Sequence, residues 1–265
     1  MTTDREPRRD FSERYPGAAF SSDIRGKKAR TILAVLEDFL NADLKGLKLL
    51  DLGSSAGMVS HRLADRFKRV VGVDVDRGAV DFARQHFKKA NLDFALADGM
   101  NLAFLDGIFD VVICNHIYEH VPDAGTLLDE ISRVLRPGGV CYFGADNRLC
   151  VWEPHHRLPF LSWLPGPVSN FYLRLSGRGR VYEEKLLSCR GLRALVTKFS
   201  IIDYTRKIIE NPSLFCANYM LEAGSFRYKM ANLVVRYAYP LCPGYIWLLQ
   251  KIEGSGSQDG LRSVH

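Results

Sequence analysis

Residues 47–57 read Leu47-Lys48-Leu49-Leu50-Asp51-Leu52-Gly53-Ser54-Ser55-Ala56-Gly57, and this stretch decides the fold. An apolar run of strand length ends on a glycine-flanked turn that opens a helix. Glycine lets the backbone bend tightly and approach a ligand without a β-carbon in the way. About twenty residues on, Val70-Val71-Gly72-Val73-Asp74-Val75 is a second buried strand closing on a carboxylate, an acid placed to accept both hydroxyls of a ribose. A third strand, Leu92-Asp93-Phe94-Ala95-Leu96-Ala97, runs into Asp98-Gly99-Met100, where a carboxylate can take the exocyclic amine of adenine. A fourth, Phe109-Asp110-Val111-Val112-Ile113-Cys114, leads into Asn115-His116-Ile117-Tyr118-Glu119-His120.

Outward from these runs the chain alternates strand and helix. A helix starts near Gly57, another covers 77–89 with Asp76 as its N-cap, and a third covers 123–135 with Leu127, Leu128, Ile131, Val134 and Leu135 on one stripe. Arg136-Pro137-Gly138-Gly139 stops that helix before the strand Gly139–Ala145. Such alternation predicts a parallel sheet in a doubly wound α/β fold. Before it, residues 1–22 read as polar and irregular, and Ile32, Val35, Leu36, Phe39 and Leu40 follow helical spacing. That gives an N-terminal helical segment over 1–45 and a main domain over 46–253. After Ala145 the rhythm breaks. Residues 147–181 read as an irregular insert, 183–198 as a helix and 199–208 as a strand. Residues 211–243 read as a second insert with a long aromatic-rich helix, 244–251 as the last strand, and 254–265 as a flexible tail.

The series DLGSSAG, VVGVDVD, ALADGMNLAF, FDVVICNHIYEHV and LRPGGV resembles the successive motifs of class I S-adenosylmethionine-dependent methyltransferases. It is most similar to the bacterial group that includes the quinone-biosynthesis methyltransferases, and the resemblance covers residues 46–145. It implies a Rossmann-like, mostly parallel seven-stranded sheet with helices on both faces and S-adenosyl-L-methionine as cofactor. The loop from Asp51 through Gly53, Ser54 and Ser55 to Gly57 would wrap the methionine part. Asp74 and Val75 would meet the ribose, Asp98, Gly99 and Met100 the adenine, and Asn115 would complete the site. The family usually carries glycine where this chain has Ser55, which implies a modest change of loop shape.

Two rival chemistries and one silent reading stand beside this one. Gly53-Ser54-Ser55-Ala56-Gly57 also fits the nucleophile elbow of α/β-hydrolases, with Ser55 as nucleophile. That reading lacks an earlier strand for the oxyanion hole and leaves Asp74 and Asp98 without work. A nicotinamide dehydrogenase needs a third glycine where position 58 is Met. A non-catalytic S-adenosylmethionine-binding scaffold keeps the cofactor motifs without turnover.

Bulk properties bound the acceptor. Hydrophobic residues are 47% of the chain and charged residues 25%, as in ordinary globular proteins. No secretory signal pattern opens the chain, and six cysteines without a C-x-x-C pair suit a reducing, cytoplasmic setting. Residues 146–253 carry 15 basic and 8 acidic side chains, so the net charge of +6 is concentrated there. An anionic acceptor or an anionic membrane surface fits that excess. The uncharged run Tyr237–Gln250 is too short to span a bilayer, leaving peripheral contact as the expectation. No RNA-binding module or long basic tract supports a nucleic acid partner. The two inserts read as acceptor lids. In the first, Glu153, His155, His156 and Arg157 lie among aromatics and offer a base and an anion clamp; His155 or His156 is the expected base, with His120 next and His116 behind it. Adjacent histidines point apart, so no metal site is expected from the pair. In the second, Phe215, Tyr219, Met220, Phe226, Tyr228 and Met230 offer either the wall of an apolar pocket or packing on the core. The acceptor is thus a small molecule of hydrophobic, aromatic or lipid-linked character, methylated at oxygen or carbon, and the oligomeric state stays open.

Overall fold

Lys48–Leu52 (β1) lies between Arg69–Asp74 (β2) and Phe109–Asn115 (β4), parallel to both. Leu92–Leu96 (β3) extends the sheet beyond β2, and Leu135–Asp146 (β5) extends it beyond β4. The computed structural model describes residues 22–41 and 43–252. Among them the single sheet has seven strands in the order β3-β2-β1-β4-β5-β7-β6, with β6 at Phe199–Asp203 and β7 at Gly244–Lys251. β7 runs antiparallel to both neighbours. The Rossmann-like doubly wound architecture is therefore present. Its parallel strands are apolar on both faces because helices cover both: Leu50 and Leu52 enter one core with Leu127, Ile131 and Trp247, while Leu49 enters the other with Val80, Ile113 and Tyr142.

The chain crosses from β3 back to β4 beside β1, and this reversal opens a crevice at the carboxyl ends of the central strands. Register makes the crevice useful. Leu52 pairs with Val73 on one side and Cys114 on the other, so Gly53, Asp74 and Asn115 leave the sheet at one level.

The helices are Ser22–Leu40 (α1), Met58–Leu63 (α2), Arg77–His86 (α3), Ala124–Val134 (α4), Gly166–Leu175 (α5), Cys189–Leu195 (α6), Thr205–Glu210 (α7) and Phe226–Tyr237 (α8). α1 does not stand apart from the rest. Ile32, Val35 and Leu36 sit in the same core as Leu49 and Leu63. Most of the stretch 1–22 and the whole tail 254–265 lie outside the described residues, and Ser22 opens α1.

Several boundaries differ from expectation. β5 begins at Leu135, which pairs with Phe109 before pairing resumes at Val111 and Val140, so Arg136–Gly139 forms an irregularity inside the strand. Gly138 takes φ +70° there. The strand expected over 199–208 ends at Asp203, whose carboxylate accepts the Thr205 N–H at 2.9 Å and turns the chain into α7. The helix expected over 183–198 shortens to α6. The first insert is not wholly irregular, since it holds α5, begun after Pro165 with a proline in its first turn.

Asp76 caps α3 as expected, accepting the Ala79 N–H at 3.1 Å. Asp76→Ala should lower stability by about 1 kcal/mol in denaturant melts; an unchanged midpoint would remove the cap from the account.

Candidate active site

Each strand end contributes one wall. A cavity of about 620 Å³ opens over β1, β2 and β4, and its lining follows the strand order across the sheet. Ala97, Asp98 and Gly99 follow β3; Asp74, Val75 and Asp76 follow β2. Asp51 through Ser55 come from β1 and its loop, Asn115 through Ile117 with His120 and Val121 follow β4, and His155 and Arg157 follow β5. Ile24, Arg25, Lys28 and Ile32 of α1 also face it.

The loop after β1 is held by backbone demands that only some residues meet. Gly53 has φ +67°, and a β-carbon there would lie 2.1 Å from Ile117 Cδ1. Gly57 has φ +79° and packs against Phe94 and Ala83; it sets the turn into α2 and does not line the cavity. Ser55 takes φ +49°, the left-handed conformation a glycine would adopt easily. It is retained there because its N–H donates to Asp74 Oδ2 at 2.7 Å and its hydroxyl accepts from Arg25 at 3.3 Å. The serine in the glycine's place thus keeps a glycine-like backbone.

Asp74 also accepts the Asp76 N–H at 2.9 Å. Two backbone amides use part of a carboxylate's roughly four acceptor positions, so it retains capacity for a ligand. Burial raises its pKa. Asp51 is buried, accepts the Ser60 hydroxyl at 2.5 Å and is pushed up to about 6 by burial. Asp98 accepts the Met100 N–H at 2.9 Å. Met100 itself packs on the core and does not line the cavity. Ser54 Oγ is buried and lacks a hydrogen-bond partner among the described residues, although Ser54 lines the cavity. An orphaned hydroxyl beside a glycine cradle and two cavity-lining acids fits a polar nucleoside-bearing ligand.

The opposite wall is a histidine and carboxylate cluster. Buried Glu153 holds His155 Nδ1 through Oε1 at 2.8 Å and the His156 N–H through Oε2 at 2.6 Å. A carboxylate only accepts, so His155 Nδ1 carries the proton and Nε2 is the nitrogen with basic capacity. Burial opposes the His155 imidazolium, but Glu153, Glu184 and Asp146 outweigh it and raise the pKa above the ordinary histidine value. His120 meets His155 edge-on with ring centroids 5.0 Å apart. His156 points elsewhere. It lies outside the cavity lining, with Nε2 3.4 Å from Glu184, so the expectation that either of the adjacent histidines faces the acceptor narrows to His155.

Sequence reading missed three groups here and placed a fourth, His116, last among the histidines. His116 sits at φ +58° with Nδ1 3.1 Å from Asp146, and ranks above its expected place. Glu119 is buried with neither carboxylate oxygen hydrogen-bonded, and burial pushes it up to about 7. Arg25 and Lys28 reach in from α1. Burial, then repulsion from Arg25, lowers the Lys28 pKa. The available signal was helical spacing: Ile24, Lys28 and Ile32 recur at i, i+4 and i+8. Two sets of ligand atoms within 4.8 Å of one another, Glu119–His120–His155 and His116–Glu119–Asp146, have the donors a divalent cation takes and share Glu119. They arise from the loop after β4 meeting other segments, a juxtaposition the adjacent histidines did not signal.

None of the six aromatics and methionines of the second insert lines the cavity. Phe215 is buried against Tyr204, whereas Phe226 and Met230 are exposed. Of the two outcomes open to that insert, the pocket wall is not the one found: Phe215 packs in a core, and Phe226 and Met230 face solvent. The hydrolase reading also fails locally, because the hydroxyl of Ser55 is bonded to Arg25 and not to an imidazole.

Residues 50–143 match the family model described as a methyltransferase domain. The biotin biosynthesis bifunctional protein BioHC of Cellvibrio japonicus is 33% identical over 131 residues, 49% of this chain and 26% of that protein. The ubiquinone biosynthesis O-methyltransferase of Aromatoleum aromaticum is 33% identical over 111 residues, 41% of this chain and 47% of that protein. The match thus spans less than half of either relative's length. A chain from the complex of the Haloferax volcanii Trm112 methyltransferase activator with a methyltransferase superposes with a TM-score of 0.56 at 17% identity, covering 94% of this chain and all of that one. That likeness shows a shared fold.

A buried carboxyl that accepts no hydrogen bond among the described residues, with His116 Nδ1 3.8 Å away, has a measurable signature. With its pKa raised from 4.5 to about 7 in the fold, Glu119 weakens the folded state increasingly as pH climbs through that window. Glu119→Gln should come close to the wild type near pH 4.5 and exceed it by about 3 kcal/mol at about pH 8. Equal melting of both proteins at the higher pH would show that Glu119 is satisfied in solution.

Proposed function

From the premise that residues 50–143 form a class I S-adenosylmethionine-dependent methyltransferase domain, we propose that this chain transfers a methyl group to a small hydrophobic, aromatic or lipid-linked acceptor, at oxygen or carbon. The observation that carries the reading is a single cavity bounded by Asp74 and Asp98 across the first strands and by His120 and His155 across the later ones. S-adenosylmethionine supplies an electrophilic methyl on a sulfonium that is already a good leaving group. The chain's task is then alignment in a dry cavity, an effect worth about 7–11 kcal/mol at best.

In this reading Asp74 holds the ribose with its remaining acceptor positions, and Asp51, Gly53, Ser54 and Ser55 follow the methionine part. Asp98 and Gly99 face the adenine, and Val75 and Asn115 complete the wall. Gly57 and Met100 act through the backbone turn and the core. Arg25 secures the loop by its bond to Ser55. His155 removes the acceptor's proton at Nε2 while Glu153 fixes its ring, and Lys28 and Arg157 steady an anionic part of the acceptor. Exposed Trp152, Phe160, Trp163 and Phe171 of the first insert support a hydrophobic acceptor, and the basic excess over residues 146–253 supports contact with an anionic membrane surface.

Asp74→Ala should weaken S-adenosylmethionine binding by about 2–4 kcal/mol in calorimetry, the range for charged hydrogen bonds left unmade. Unchanged affinity would take Asp74 out of the site. His155→Ala should cut turnover by about 10²–10⁴-fold with cofactor affinity kept, whereas His156→Ala should stay near normal. Because the His155 pKa lies above the ordinary value, the neutral base form is lost as pH falls through that raised pKa. The rate should therefore drop on the acid side with a midpoint above about 6.5, and His155→Ala should abolish that limb. Full turnover in His155→Ala would pass the role to His120.

A further inference from the structure

The sequence of α8, Phe226-Arg227-Tyr228-Lys229-Met230-Ala231-Asn232-Leu233-Val234-Val235-Arg236-Tyr237, carries large apolar side chains at 226, 230, 233 and 237. At about 100° per residue these four fall within an arc of about 60°. In most surface helices such a stripe is the face turned to the core. Here it is turned outward: Phe226 is 77% exposed, Met230 42%, Leu233 51% and Tyr237 72%. The opposite face is the one that packs. Val235 is buried, and the Tyr228 hydroxyl donates to the Glu210 carbonyl at 3.0 Å. Ser225 caps the helix by accepting the Tyr228 N–H at 3.1 Å, so the stripe is presented by a formed helix. Exposed Leu241 lies just beyond its end.

Charge selects what covers this face. Arg227 flanks the stripe on one side, with Lys229 and Arg236 on the other, and the helix contains no acidic residue. All three are exposed and none is in an ion pair among the described residues. A two-fold pairing through α8 would set these cations against their own copies. It would also rest on a handful of side chains where a stable interface uses about 20–30 residues a side. No helix among the described residues is long and apolar enough to cross a membrane. A short helix with an apolar stripe between basic flanks instead matches the geometry of a segment lying in the plane of an anionic bilayer.

We propose that α8 docks this protein on an anionic lipid bilayer, with Phe226, Met230, Leu233 and Tyr237 inserted among the acyl chains and Arg227, Lys229 and Arg236 at the headgroups. This deepens the membrane-contact part of the proposed function and rests on that part, not on the chemistry of the cavity. The docked insert touches the cavity's frame: the Thr31 hydroxyl of α1 donates to the Cys216 carbonyl at 3.2 Å, and α1 carries Arg25 and Lys28.

The test is co-sedimentation of the full chain with vesicles of phosphatidylcholine plus phosphatidylglycerol, against vesicles of phosphatidylcholine alone. The wild type should pellet with the mixed vesicles and not with the neutral ones, and added salt should weaken the binding. Phe226→Glu with Leu233→Glu should reduce partitioning at least about tenfold, and Arg227→Glu with Lys229→Glu should reduce it several-fold. Melting temperature and S-adenosylmethionine affinity should not move in either variant, which separates failure of docking from failure of the methyltransferase reading. Trp152→Glu with Phe171→Glu, in the first insert, should retain most of the binding. The proposal is overturned if the wild type ignores anionic vesicles, if the α8 variants bind as the wild type does, or if only the first-insert variant loses binding. It is equally overturned if light scattering shows a dimer that the α8 substitutions dissolve.

Discussion

The bond from the Ser55 N–H to Asp74 Oδ2 ties the loop after β1 to the end of β2, and the rest of the cavity is arranged around that tie. It holds a non-glycine residue at φ +49°, and Gly53 beside it approaches Ile117 so closely that a β-carbon has no room. The loop is therefore fixed from both sides. One side is the carboxylate of the second strand and the other is the segment after the fourth. The shared register of β1, β2 and β4 brings both within reach.

Around this frame the cavity separates two electrostatic regimes. Over β1, β2 and β3 the acids are engaged with backbone amides and a serine hydroxyl, an arrangement suited to accepting hydrogen bonds from a neutral sugar and base. Toward β4 and β5 the carboxylates face imidazoles. Glu153 orients His155, and Asp146 approaches His116. Buried Glu119 lies between them with no hydrogen bond of its own. Charge that is costly to bury is concentrated at this end of the cavity, the kind of clustering that functional sites carry.

The two inserts divide the remaining work. The first brings His155 and Arg157 into the cavity and leaves several aromatics outside. The second contributes nothing to the cavity lining. It packs Phe215 and Val235 into the two cores and turns the apolar stripe of α8 outward between cations. An aromatic-rich insert thus serves a surface, although its composition alone suits a pocket equally well.

The sequence by itself determined the sheet's central strands, the glycine turn, the placement of Asp74 and Asp98 and the cap at Asp76. All of these depend on short-range rules of periodicity, turn conformation and hydrogen-bonding reach, and each is legible within a few residues. Only the tertiary structure decided which histidine faces the cavity, because adjacent side chains point apart and the buried Glu153 chooses between them. It also decided that Arg25 and Lys28 belong to the site, since α1 is joined to the cavity by packing across the sheet and not by proximity in sequence. The outward stripe of α8 is the clearest case. Helical spacing marks a face but not its direction, and direction is set by whichever surface the fold leaves to be covered.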